Sequence, residues 1–154
     1  MNANRVRVKP RRAAGLPDGG RPARFQPNMA QPARDIFGKR TALVVDDDPA
    51  IRRIMERALE ADGFRVLVAG DGREALRILG EEDDIAVIVA DLQMPRLDGR
   101  NLAAHLAEWD SAPPILFVSG YDSPTATHQL PGPFLAKPFK PEMLIKRVRQ
   151  MLGR

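Results

Sequence analysis

Four apolar runs in this 154-residue chain each end in a side chain suited to phosphate or metal chemistry. Thr41 to Val45 leads into Asp46, Asp47 and Asp48; Ile85 to Ala90 leads into Asp91; Ile115 to Val118 leads into Ser119; Phe134 to Ala136 leads into Lys137. Singly, each has an ordinary explanation: Asp91 as a turn residue after a strand, Ser119-Gly120 as a turn, Lys137 as a solvated lysine. Asp48 is accounted for as a helix cap, because Pro49 follows it directly. The joint placement carries more. In an open parallel sheet, ligands bind at the carboxyl ends of the strands, and carboxylates gathered there repel one another unless a cation lies between them. Oxygen ligands in a chain without cysteine favour Mg2+. A divalent ion beside a lysine makes a cationic pocket that positions a phosphoryl group and neutralises charge during its transfer, and a carboxylate is a competent nucleophile toward phosphorus.

Bringing these groups together requires a sheet. From residue 41 onward, short β-branched runs alternate with helical stretches, the pattern of a parallel α/β sheet. A fifth run, Phe64 to Ala69, joins the four above. The near-continuous apolar character of the runs implies burial on both faces, and right-handed crossovers bring their ends to one edge. The first helix is the clearest: Asp48 caps it, Pro49 opens it, Ile51, Ile54, Met55, Ala58 and Leu59 form one stripe, and Gly63 ends it. Asp71 with Glu74 forms a capping box for a second helix, in which Ala75, Leu76 and Leu79 face inward. A third helix is expected from Gly99 to Glu108 and a last one from Pro141 to about Leu152. Between the fourth and fifth strands, SPTATHQLPGP allows at most a short or irregular fourth helix.

Composition bounds the alternatives. The length suits one folded domain. With no cysteine, disulfide frameworks, thiolate zinc sites and cysteine nucleophiles are excluded. Neither a membrane-spanning run nor a signal-peptide core is present, so a soluble, cytoplasmic protein is expected. The net charge of +4 is unevenly placed: residues 1–40 carry ten Lys and Arg against two Asp, whereas the remaining residues carry 14 basic against 18 acidic. With prolines at 10, 17, 22, 27 and 32 and no apolar period, residues 1–40 read as a disordered basic tail preceding a folded domain over 41–154. The prolines also argue against an amphipathic transit peptide. A start at Met29 would remove most of the basic charge.

Four segments, in order and on the expected strand ends, resemble the receiver domains of response regulators in two-component systems. VVDDDPAIRR matches the acidic-pair segment, VIVADLQMPRLDG the phosphoacceptor loop, ILFVSG the switch segment and FLAKPF the lysine loop. The resemblance extends from Thr41 to the C-terminus. It implies a doubly wound five-stranded parallel sheet of flavodoxin-like order 2-1-3-4-5. It further implies that Asp91 is the phosphoacceptor, and that Asp47, Asp91 and the backbone carbonyl of Gln93 hold Mg2+ directly while Asp46 assists through water. Lys137 and the Ser119 hydroxyl would each take a phosphoryl oxygen, with Lys137-Pro138 as a cis peptide. The expected function is that of a single-domain response regulator, a phosphoacceptor switch rather than a conventional enzyme. A histidine kinase or histidine phosphotransfer protein would phosphorylate it. Its output would be protein docking or service as a phosphate sink.

The chain departs from the family pattern in two places. Phe134 stands where many receivers have tyrosine, so a switch built on Ser119 and Phe134 cannot use a ring hydroxyl and must report through packing. The stretch from Ser119 to Lys137 is short and holds Pro124, Pro131 and Pro133, which reduces a usual signalling face. Gln93 and Tyr121, two residues beyond Asp91 and Ser119, flank the path of a hydrolytic water and are expected to set the lifetime of the acyl phosphate; Tyr121→Ala should shorten it.

Other readings are weaker. A nucleic-acid-binding adaptor would use the basic tail, which offers only Phe25 and Phe37 as interleaved aromatics. A Mg2+-dependent phosphohydrolase would need an acid near Asp91, where Gln93 stands instead. His105 has no partner at metal-ligand spacing, and His128 lies in the weak segment. A triad of Ser119, His128 and an aspartate lacks the G-x-S-x-G elbow. The sequence Gly70-Asp71-Gly72 is too short for a dinucleotide fingerprint.

Overall fold

The computed structural model describes residues 38–120, 130 and 132–154. Nearly all of the tail expected over residues 1–40 lies outside those residues. So does most of the segment expected to hold a short or irregular helix between the fourth and fifth strands.

Among the described residues the elements in chain order are β1 (Thr41–Val45), α1 (Pro49–Ala61), β2 (Arg65–Ala69), α2 (Gly72–Glu81), β3 (Ile85–Asp91), α3 (Gly99–Ala107), β4 (Ile115–Ser119), β5 (Phe134–Ala136) and α4 (Pro141–Met151). The five strands form one parallel sheet in the order β2-β1-β3-β4-β5, the doubly wound flavodoxin-like arrangement. The chain leaves β1 for β2 on one side, then returns past β1 to β3 on the other. That reversal opens a crevice at the carboxyl ends of β1 and β3.

Both faces of the sheet are covered, which explains the near-continuous apolar strands. Ala42 and Val44 of β1, Val87 and Val89 of β3 and Leu116 and Val118 of β4 pack with Met55 and Leu59 of α1 and Leu144 and Val148 of α4. The intervening residues Leu43, Val45, Ile88 and Ala90 pack with Ala75, Leu76 and Leu79 of α2 and Leu102 and Leu106 of α3. Leu59 and Leu144 are fully buried, and trimming either to alanine would cost about 2–5 kcal/mol. One bulge alters the alternation. Thr41 pairs with Ile85 but Ala42 pairs with Val87, leaving Ala86 as an extra residue in β3. Ile85 therefore shares a face with Ile88 and Ala90.

Local chemistry sets the helix ends. The Asp48 carboxylate accepts the Ala50 N–H at 2.9 Å, Pro49 fills the first helical position where no N–H is needed, and Gly63 takes a φ of 91° just beyond α1. The buried stripe of α1 is narrower than expected, since Ile54 is 45% exposed. It lies one residue, about 100°, round the helix from Met55, away from the Met55–Leu59 seam. At α2, Asp71 accepts the Glu74 N–H at 2.9 Å, but the Glu74 carboxylate reaches back to the Gly70 N–H at 2.7 Å, one residue earlier than a standard capping box. No helix among the described residues is long and apolar enough to cross a membrane.

Candidate functional site

Asp46, the first residue past β1, is fully buried. Its backbone N–H extends the sheet ladder to the Ala69 carbonyl at 3.2 Å, and its own carbonyl accepts from the Arg52 guanidinium at 2.9 Å. One carboxylate oxygen accepts the Asp48 N–H and the other accepts from Lys137 Nζ, both at 2.9 Å. Asp47 is exposed, and Asp48 caps α1 as its sequence context implies.

Asp91 closes β3 and is also buried. Its Oδ1 accepts the Gln93 N–H at 3.1 Å and its Oδ2 accepts from Lys137 Nζ at 3.0 Å. Gly99 explains how α3 comes so near: a Cβ there would lie 2.4 Å from the Asp91 carbonyl oxygen, so only glycine fits.

Lys137 directly follows β5 and reaches both carboxylates. Its N–H donates to the Ser119 carbonyl at 2.7 Å, and Lys137-Pro138 is cis. Burial by itself would lower the lysine's pKa, but the hydrogen bonds and negative charges of Asp46 and Asp91 outweigh it and hold the ammonium above its usual range. Burial pushes the Asp46 carboxyl up, and the contacts from Lys137 and the Asp48 N–H only partly offset that.

Asp46, Asp47 and Asp91 offer carboxylate oxygens that all lie within 4.8 Å of one another. In their ionised forms, three carboxylates and one ammonium sum to −2, which a single divalent cation neutralises. An octahedral Mg2+ with oxygens about 2.1 Å away keeps its ligands roughly 3–4 Å apart, so this donor set fits with a small adjustment.

The remaining candidates are placed as follows. Ser119 is buried, and its hydroxyl donates to the Gly120 carbonyl over a long 3.5 Å. Phe134 is half-buried opposite Phe117 in a small cluster with Leu92, Ala103 and Leu130. Since Phe117 and Ser119 are two apart on β4, Phe134 and the Ser119 side chain share one face of the sheet. Gln93 is exposed beside Asp91. His105 is exposed on α3 and does not belong to the acidic cluster, while Tyr121 and His128 lie outside the described residues.

Three contributors were not singled out from sequence: Arg52, which holds the Asp46 carbonyl; Gly99, read there only as the start of the third helix; and Arg96, which binds Asp71. The Asp98-Gly99 pair carried a readable signal, because a glycine directly after a helix cap often marks close backbone approach.

This arrangement agrees with the comparison to known families, in which the model of the response regulator receiver domain matches residues 42–149. The chain belongs to the response regulator receiver family. This receiver is 38% identical over 118 residues to response regulator MprA of Mycolicibacterium vanbaalenii, a match covering 73% of this chain and 50% of that protein. It is 34% identical over 136 residues to sensor kinase CckA of Brucella abortus, covering 85% of this chain and 14% of the kinase. It thus spans half or less of the length of these relatives. A crystal structure of a response regulator receiver protein from Sinorhizobium medicae superposes with a TM-score of 0.67 at 29% identity, covering 76% of this chain and 97% of that one. Receiver domains act as phosphoacceptor switches in two-component signalling and typically bind Mg2+ in an acidic pocket.

Proposed function

We propose that the unit over residues 41–154 accepts a phosphoryl group on Asp91 from a phosphohistidine of a histidine kinase or histidine phosphotransfer protein. It then signals through phosphorylation-dependent protein docking or drains phosphate from its donor. The observation that carries this reading is Lys137 Nζ set between Asp46 and Asp91, with Asp47 close by, in one corner of the switch-point crevice.

In the transfer, an Asp91 carboxylate oxygen forms a bond to phosphorus as the phosphorus–nitrogen bond of the donor breaks, and the electron pair returns to the imidazole. Lys137 has three protons on Nζ and uses two of them on carboxylates. It can therefore turn one donor to a phosphoryl oxygen while still holding Asp46. Asp47, Asp91 and the Gln93 carbonyl, with Asp46 through a water, would hold Mg2+, which would supply further charge neutralisation there. The Ser119 hydroxyl, weakly committed to Gly120, turns to another phosphoryl oxygen. The space it leaves on their shared sheet face lets Phe134 move inward, a change read by packing. Exposed Gln93, together with Tyr121, governs water access to the acyl phosphate and hence its lifetime.

The test is acetyl-phosphate labelling with Mg2+, read by intact-protein mass. Wild type should gain one phosphoryl group and Asp91→Asn none. Equal labelling of both would remove the central assignment.

A further inference from the structure

Arg96 is the one described non-glycine residue with a positive φ, at 65°. A side chain with a Cβ disfavours that conformation, which persists where surrounding contacts impose it. Here the Leu97 N–H closes on the Pro95 carbonyl at 2.8 Å across Arg96, and the further contacts come from α2. Arg96 Nε donates to Asp71 Oδ2 at 2.6 Å, and a terminal guanidinium nitrogen forms an ion pair with the same oxygen at 2.6 Å. Asp71 is buried, and its other oxygen caps α2 on the Glu74 N–H, so the anchor is fixed independently of the arginine. One residue later the Leu97 carbonyl accepts the Gly72 N–H at 3.0 Å, in a contact so close that a Cβ on Gly72 would lie 2.5 Å from that oxygen. At its other end the loop is held where the Leu92 N–H meets the Val118 carbonyl at 3.1 Å. Between these two anchors run Gln93, Met94 and Pro95.

We infer that the Asp71–Arg96 ion pair is a positioning clamp that aims the Gln93 carbonyl at the Mg2+ site from outside the acidic corner. This rests on the metal-binding reading given above. Neither residue touches the three clustered carboxylates, so their effect on metal passes through the backbone of the loop. Without the ion pair α2 no longer holds Arg96 at its positive φ, and the peptide planes upstream of it are free to turn.

The experiment titrates Mg2+ into the full chain and follows the backbone amide shifts of Asp47 and Gln93, with thermal melting of the same samples. Arg96→Gly tolerates the positive φ but does not enforce it, and Asp71→Asn retains a good helix cap, so each removes the ion pair without imposing a new backbone conformation. The clamp requires each to weaken Mg2+ binding by about tenfold, the low end for removing a ligand's supporting contact, with Arg96→Gly melting no lower than wild type. Arg96→Lys, which keeps the charge but loses the two-pronged contact, should fall between. Wild-type Mg2+ affinity in both Arg96→Gly and Asp71→Asn would overturn the clamp alone, provided wild type binds Mg2+ and Asp91→Asn does so poorly. If wild type bound no Mg2+, or Asp91→Asn bound it equally well, the metal-site reading would fall and the clamp with it.

Discussion

On the β1–β3 side of the crevice, Asp46 and Asp91 adjoin strands in which every residue is buried, and each carboxylate accepts hydrogen bonds on both oxygens. On the β4–β5 side, the Ser119 hydroxyl makes only a 3.5 Å contact among the described residues, Phe134 is half-buried, and β5 is a three-residue edge strand. The two sides suit different tasks. Phosphoryl transfer needs groups fixed before the substrate arrives, whereas a switch needs an element with few enough contacts to occupy two arrangements. Lys137 joins them, since its backbone belongs to the loose side and its ammonium to the fixed one.

The largest effect is therefore expected at that joint. Lys137→Met leaves Asp46 buried without its cation, and removing one partner of such a pair costs about 3 kcal/mol or more. Urea denaturation in Mg2+-free buffer measures this, and labelling by acetyl phosphate should fall sharply in the same variant. A cost below about 1 kcal/mol, the range of exposed pairs, would show that the acidic side does not depend on its lysine and would break the comparison.

A smaller effect is expected from Phe134→Ala. A fully buried phenylalanine truncated to alanine costs about 3–5 kcal/mol; the half-buried ring of Phe134 should cost about 1–2 kcal/mol on the same scale. Labelling of Asp91 should persist, because the ring touches none of the carboxylates. Its strand partner Phe117, only 1% exposed, supplies the internal control. If Phe134→Ala cost as much as Phe117→Ala, the β5 edge would be as firmly packed as the interior and a poor place for a moving part.

The strand ends were readable from sequence because each follows a short apolar run and carries a polar group of distinctive type. The cap at Asp48 was readable because Pro49 names the first helical position. What escaped depends on contacts distant in sequence. Ile54 fits the helical period of α1 yet faces solvent, since the period shows that a stripe exists but not how wide a stripe the neighbours cover. Ile85 changes face through a bulge at Ala86, which no side-chain pattern marks. Arg96 and Asp71 are 25 positions apart, and nothing local in either announces a left-handed arginine. The bridging role of Lys137 likewise needs the sheet order, which the family resemblance supplied and residue periodicity did not.

The smallest expected effect concerns what keeps the β3 loop stiff, and it is separable by pH. Burial alone would raise the Asp71 carboxyl, but the Glu74 N–H, the Arg96 guanidinium and the Arg73 N–H outweigh it and hold it below the ordinary value of 3.8. A folded pKa below the unfolded one means that the unfolded chain takes up the proton first as pH falls. The contribution of the Asp71 carboxylate is thus complete above the unfolded value and is lost as pH drops through the folded one. Arg96 is 59% exposed, so screening keeps the pair's worth under about 1 kcal/mol. The stability difference between wild type and Asp71→Asn, from urea midpoints, should be constant from about pH 5 to 7 and shrink below about pH 4. Since asparagine also caps helices, that shrinkage isolates the charge. A difference that stays flat into acid would mean that the Gly72–Leu97 contact alone stiffens the loop, leaving the acidic side fixed by backbone fit and not by charge.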